Sequence, residues 1–126
     1  MTSDEIWVRV VRFAFDRQAP TNYAGYAYMC DAICEIINGD LLVGFLKPTY
    51  IAVAQKHKTS IKNIERCLRT MITRWWAHNK CGQVFTKKPT ASQLLSVCSH
   101  LIRLGYHEKM LKRKLQETKK LQDTGA

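Results

Sequence analysis

Acidic residues all but vanish from the middle of this chain. Between positions 41 and 104 there is one, Glu65, against eleven lysines and arginines. Residues 1–40 hold six acids against three bases, and residues 105–126 hold three against six. A metal-dependent nuclease needs clustered carboxylates to hold its ion, so that scarcity argues against one. Glycine is sparse too, and no phosphate-cradling glycine loop or nucleophile–base motif occurs. The histidines, His57, His78, His100 and His107, are scattered without a partner acid or nucleophile. An enzyme is therefore not expected. No run of eighteen apolar residues occurs, which argues against a transmembrane span. Arg9 and Arg12 break the first apolar stretch, and Asp4 and Glu5 stand where a secretory signal would be positive. Cysteine is odd in number and without framework spacing. Cys30, Cys34, Cys67, Cys81 and Cys98 read as free thiols of a cytoplasmic protein, buried where they fall on apolar helix faces. The pairs His78/Cys81 and Cys98/His100 match no paired-ligand pattern, so neither metal nor cofactor is expected.

What the chain does have is apolar content of 46% in 126 residues, enough for one globular domain with its own core. The net charge of +10 is concentrated between residues 41 and 104, and a field so concentrated attracts a polyanion.

The pattern is helical throughout. Ser3 is placed to cap a first helix with Ile6, Val10, Phe13 and Trp7 inward, and Pro20 lies beyond its end. A second helix is expected from Tyr23 to Ile37, with Tyr26, Met29, Cys30, Ile33 and Ile37 as its stripe and Asn38-Gly39 as its stop. Asp40 would cap a short apolar segment, Leu41 to Leu46, and Lys47-Pro48-Thr49 would break the chain. Tyr50, Val53, Ala54 and His57 are the inward positions of the next short helix. After Trp76 a loop is expected from His78 to Lys88. Pro89, with Thr90 or Ser92 as cap, opens a helix through Leu104 that Gly105 should stop. The remainder, Tyr106 to Gln122, is helix-prone with a thin apolar stripe.

The most informative stretch runs from Val53 to Trp76: a short helix, a four-residue turn and a long helix. Ile61, Ile64, Leu68, Met71, Ile72 and Trp75 recur at three- and four-residue steps and form one apolar stripe. Lys62, Arg66, Arg69 and Thr73 recur on nearly the opposite side, flanked by Asn63, Glu65 and Thr70. A helix that packs by one face and offers such side chains on the other suits a DNA major groove. Lys58 occupies the turn position where many helix–turn–helix units have glycine, which is tolerable if the backbone there avoids a left-handed conformation. Glu65 is suited to accept from a cytosine amino group, and equally to pair with Arg69 at i,i+4. Trp75 belongs to the core stripe, whereas Trp76 lies beside the basic face.

Four segments, in this order and spacing, resemble one family. They are GYAYMCDAI (Gly25 to Ile33), the Leu41-Leu42 pair, the turn and second helix with Thr59, Glu65, Arg66 and Arg69, and KPTASQLL (Lys88 to Leu95). Together they resemble the C-terminal effector domain of the sporulation initiation transcription factors, over about residues 4–104. The resemblance implies an all-α, compact bundle of about five to six helices with a helix–turn–helix over about 49–78. Residues 1–104 would form that domain and 105–126 a basic helical tail. It implies sequence-specific binding to double-stranded DNA at TGNCGAA-type boxes, with Ser60 to His78 as recognition helix. A head-to-tail homodimer on tandem boxes is implied, as are RNA polymerase or a larger regulator as further partners.

Carried over residue by residue, Glu65 and Arg66 fall where the family reads bases, and Arg69 matches a DNA-contacting arginine. Lys62 replaces a small polar residue near the DNA backbone. Asn63 stands where the family has arginine and Thr70 where it has histidine, so the preferred site is expected to differ. The loop after Trp76 is shorter than the family's, in the region associated with sigma-factor contact. No receiver domain of the family's kind is expected within these 126 residues.

The expected base readers are thus Asn63, Glu65, Arg66 and Arg69. The expected phosphate contacts are Lys56, Lys58, Ser60, Lys62, Thr70, Thr73, Arg74, Lys87 and Lys88. Two other readings stay open: a protein-interaction module without DNA contact, and a non-specific binder of RNA or single strands using Trp76.

Overall fold

A computed structural model describes residues 1–39 and 46–124, and among these it contains five α-helices and no strand. The all-α expectation holds. The helices are α1 (Ser3–Asp16), α2 (Ala24–Gly39), α3 (Lys47–Lys56), α4 (Ile61–Asn79) and α5 (Ala91–Thr124). A single 3₁₀ turn, Cys81–Gln83, lies between the last two. The segment expected from Leu41 to Leu46 falls outside the described residues except for Leu46, which is buried.

The cap of α1 is Thr2, one residue earlier than expected: its hydroxyl accepts from the Glu5 N–H at 3.1 Å. Asp4 and Glu5 in that first turn complement the helix dipole. Ile6, Val10 and Ala14 face the core, Phe13 packs against its edge, and Trp7 is exposed rather than inward. Two residues beyond the helix end, Gln18 has a left-handed φ of 56° that lets the Ala19 N–H reach the Ala14 carbonyl at 3.0 Å.

The central helix is α2, which packs against each of the other four. Met29, Cys30, Ile33 and Ile37 are buried along it as expected. Gly25 explains the start of its motif, since a Cβ there would lie 2.4 Å from the Cys67 carbonyl oxygen and 2.7 Å from the Met71 Cβ. The backbones of α2 and α4 touch at that point, and only glycine permits it.

Lys47-Pro48-Thr49 is not a break but the first turn of α3, because proline's fixed φ suits a first-turn position and its missing N–H has no partner to lose there. The end of α3 is tied to α2 by Asp31, which is buried. Its two carboxylate oxygens take the Lys56 ammonium at 2.8 Å and the His57 Nε2 at 2.5 Å. His57 therefore does have a partner acid, one that lies 26 residues away in sequence. The Tyr28 ring meets the His57 ring edge-on at 4.8 Å.

Gly105 does not stop the last helix. It sits inside α5, which runs unbroken for 34 residues. A Cβ at Gly105 would meet nothing within 4 Å, so no packing reason forces a break there. Arg103 anchors α5 to the end of α2 through a 2.9 Å bond from its Nη2 to the Ile36 carbonyl.

Candidate nucleic-acid interface

The recognition-helix candidate is held from three sides. At its start, the α3–α4 turn closes by a paired bond pattern: the Thr59 N–H reaches the Ala54 carbonyl at 2.9 Å and the Lys58 N–H reaches that of Gln55 at 3.3 Å. This geometry requires a left-handed residue, and Lys58 supplies it with φ 52°. The expected condition on Lys58 is thus overturned, since the lysine adopts the conformation that glycine would favour. Ser60 then caps α4, its hydroxyl accepting from the Asn63 N–H at 3.1 Å. Further along, the Arg17 carbonyl accepts from the Trp75 indole at 3.1 Å and from the Asn79 amide at 3.0 Å. The helix runs to Asn79, past the expected loop start at His78, and ends on Lys80 in a left-handed conformation.

On its inner face Ile64, Leu68, Met71, Ile72 and Trp75 are all buried, as their spacing predicted. Trp76 is partly buried against the same core.

The outer face opens on a cleft of about 1070 Å³ between α4 and the start of α5. Glu65, Arg66, Arg69, Thr70, Thr73 and Arg74 line it from α4, and Lys88 from the far side. Tyr50, Ile72, Pro89 and Ala91 give it an apolar part. Burial pushes the Tyr50 phenol up from its ordinary value, opposed by a hydrogen bond with Ser92, while the Glu65 carboxylate adds to the rise. Tyr50 is thus a neutral wall at physiological pH.

Within this face the side chains are connected. The Asn63 amide donates to the Thr59 hydroxyl at 2.9 Å, and its oxygen accepts from Arg66 Nη2 at 2.7 Å. Thr70 donates to the Arg66 carbonyl at 3.1 Å, and Lys88 donates to the Thr73 hydroxyl at 2.7 Å. That last bond ties the strap before α5 to α4. The first turn of α5 carries a reciprocal cap. Thr90 accepts from the Gln93 N–H at 3.2 Å, and Gln93 accepts from the Thr90 N–H at 3.0 Å. The positive end of the α5 dipole therefore adds to the basic side of the cleft.

Seven of the residues singled out in the sequence thus meet in one place: Glu65, Arg66, Arg69, Thr70, Thr73, Arg74 and Lys88. Ser60, Lys62 and Asn63 sit on the first turn of α4 just outside it, with Asn63 joined to it through Arg66. Lys58 and Lys87 are exposed. Lys56 is exposed too, but its ammonium is already paired with Asp31, and that hydrogen bond raises its pKa. Sequence reasoning missed Asp31, Tyr50 and the Lys88–Thr73 tie. The Thr90–Gln93 spacing was the one available signal for the α5 cap; nothing local marks the others.

A helix–turn–helix whose second helix buries one face and lines a basic cleft with the other defines a DNA-binding domain of the transcription-factor class. The chain belongs to the family described as Sporulation initiation factor Spo0A C terminal, which it matches over residues 15–102. That family is one of DNA-binding regulatory domains and not of enzymes, and the resemblance of the four ordered segments is thereby established. No helix among the described residues is long and apolar enough to cross a membrane.

Proposed function

We propose that the protein regulates transcription by reading a specific double-stranded DNA sequence with α4 laid in the major groove. The observation that carries this reading is the division of α4 into a fully buried stripe and an outward row, Glu65, Arg66 and Arg69, set in an open basic cleft. Arginine presents a planar fork suited to guanine, and a carboxylate in a basic field suits the cytosine amino group. Asn63 acts with Arg66, its amide oxygen holding the guanidinium that meets the base. Ser60, Lys62, Thr70, Thr73 and Arg74 flank this row and take phosphates. Lys58, Lys87 and Lys88 extend the same line on either side of the groove. Lys56 contributes only charge at a distance while Asp31 holds it. The family's tandem arrangement carries over as two copies on adjacent boxes, with polymerase or a larger regulator as the reader of the assembled complex. Such work belongs in the cytoplasm.

Fluorescence anisotropy at ~150 mM salt, where weak electrostatic binding is already suppressed, tests the reading. One duplex carries two TGNCGAA-type boxes or a site selected from random duplexes, and the other a scrambled sequence. Clear preference for the site is expected. Replacing Arg66 with Ala should lower affinity for the site by about 10- to 100-fold while barely touching the scrambled duplex, whereas Lys87→Ala should weaken both alike with a shallower salt slope. Equal losses on both duplexes with Arg66→Ala would refute base reading by that residue. Failure to bind any duplex would overturn the proposal as a whole.

A further inference from the structure

Two exposed apolar stripes of opposite charge lie at the two ends of the chain. On α1, Val8 and Phe15 stand seven residues apart on the side away from the core, with 52% and 71% of their surface exposed. Asp4, Glu5 and Asp16 flank them, with Arg9 and Arg12 the bases among them. On α5, Leu104, Leu111 and Leu115 recur at helical spacing and are 46%, 59% and 62% exposed. Lys112, Lys114 and Lys119 flank that stripe, with Glu108 the one acid near it. The two faces therefore carry net −1 and +2. Among the described residues none of these acids or flanking lysines forms an ion pair within the chain.

Of the stripe on α5, only Leu104 lines the groove that α5 makes with its own α1. There Tyr106 lies under the Arg9 guanidinium at 5.0 Å, and the half-buried Met110 follows one turn later. Leu111 and Leu115 point elsewhere. Val8 and the α5 stripe fall outside the matched residues 15–102, and Phe15 lies at their edge.

We infer that the α5 extension of one copy packs along α1 of a second copy, independently of DNA. A lysine-flanked leucine stripe pairs poorly with its own image, because Lys112 and Lys114 would face each other across an antiparallel pair. Against α1 the same lysines meet Asp4, Glu5 and Asp16 while Leu111 and Leu115 cover Val8 and Phe15. The contact joins two different patches, so each copy both offers an extension and receives one.

Sedimentation of the full chain without DNA tests this, using two double variants at exposed positions. One is Leu111→Gln with Leu115→Gln, the other Val8→Gln with Phe15→Gln. Association in the micromolar range is expected for the parent chain, weakened by raised salt and by about tenfold or more in either variant alone. Unchanged helical content and melting would show that both variants stay folded. The decisive sample is the mixture. The leucine variant keeps an intact α1 and the other keeps an intact extension, so together they should form a mixed pair that neither forms alone. A parent chain that stays monomeric overturns the inference. So does an α1 variant that associates as well as the parent, which would assign the stripe to its own image, and so does a mixture that remains monomeric. Loss of duplex affinity in the leucine variant with a monomeric parent would assign the stripe to DNA instead.

Discussion

Lys58 holds a conformation that suits glycine, and it does so at the turn that aims α4, the proposed recognition helix. A non-glycine residue in the left-handed region is strained by about 1 kcal/mol, so Lys58→Gly should raise the unfolding free energy by about that amount. The same change deletes a proposed phosphate contact. Chemical denaturation and duplex titration on one sample should therefore move in opposite directions, stability up and affinity down. A gain in neither would show that the turn relaxes around the lysine. At this scale the sequence was a partial guide. The buried row from Ile64 to Trp75 follows from spacing alone, because a helical period fixes which residues share a face. The union of Asp31 with Lys56 and His57 does not, because it depends on how α2 and α3 are docked across 25 residues of chain.

Among elements, the crossing of α2 over α4 decides how the interface is presented. Gly25→Ala would drive a methyl group into the Cys67 carbonyl and the Met71 side chain, neither of which is free to retreat. Overpacking of this kind costs about 1–3 kcal/mol, and a thermal melt should show it as a clear drop in midpoint. Duplex affinity at a temperature where the variant stays folded should fall as well, since α4 can yield only by tilting its outer face. A variant that melts like the parent would mean that the helices are not in backbone contact. Element ends were less legible than element faces. Proline at Pro48 reads as a breaker or as a first-turn residue, and only the residues before it decide which. Gly105 reads as a stop, yet a glycine lowers helix propensity without forbidding a helix that is already nucleated and anchored by Arg103.

Over the whole molecule, charge and burial are sorted by region. The acidic excess lies in the first 40 residues and the basic excess from 41 to 104, the stretch that includes α4 and the proposed DNA face. Beside the one buried carboxylate among the described residues, Asp31, the interior holds thiols. Burial pushes Cys30 and Cys98 up to about 12, and Cys34 and Cys81 up to about 11, from an ordinary value of 9.0. Their protons are retained by the folded chain and released by the unfolded one. This contribution to stability is thus complete below about pH 9 and lost as pH rises through 11 to 12. Tyr26, also pushed up by burial, acts in the same direction. The urea midpoint should accordingly hold steady up to pH 9 and fall beyond it, and the fall should shrink in a Cys30→Ala, Cys98→Ala chain compared at equal starting stability. A midpoint indifferent to alkali would show that the thiols meet solvent. The unbroken course of α5 has a mechanical consequence. Its first turn sits at the cleft beside Lys88, and a helix of 34 residues reaches about 50 Å from there. With no joint at Gly105, that reach behaves as a lever. Whatever grips its far end is kept at a set distance and bearing from the bound duplex, and a sideways pull there is delivered as torque at the groove.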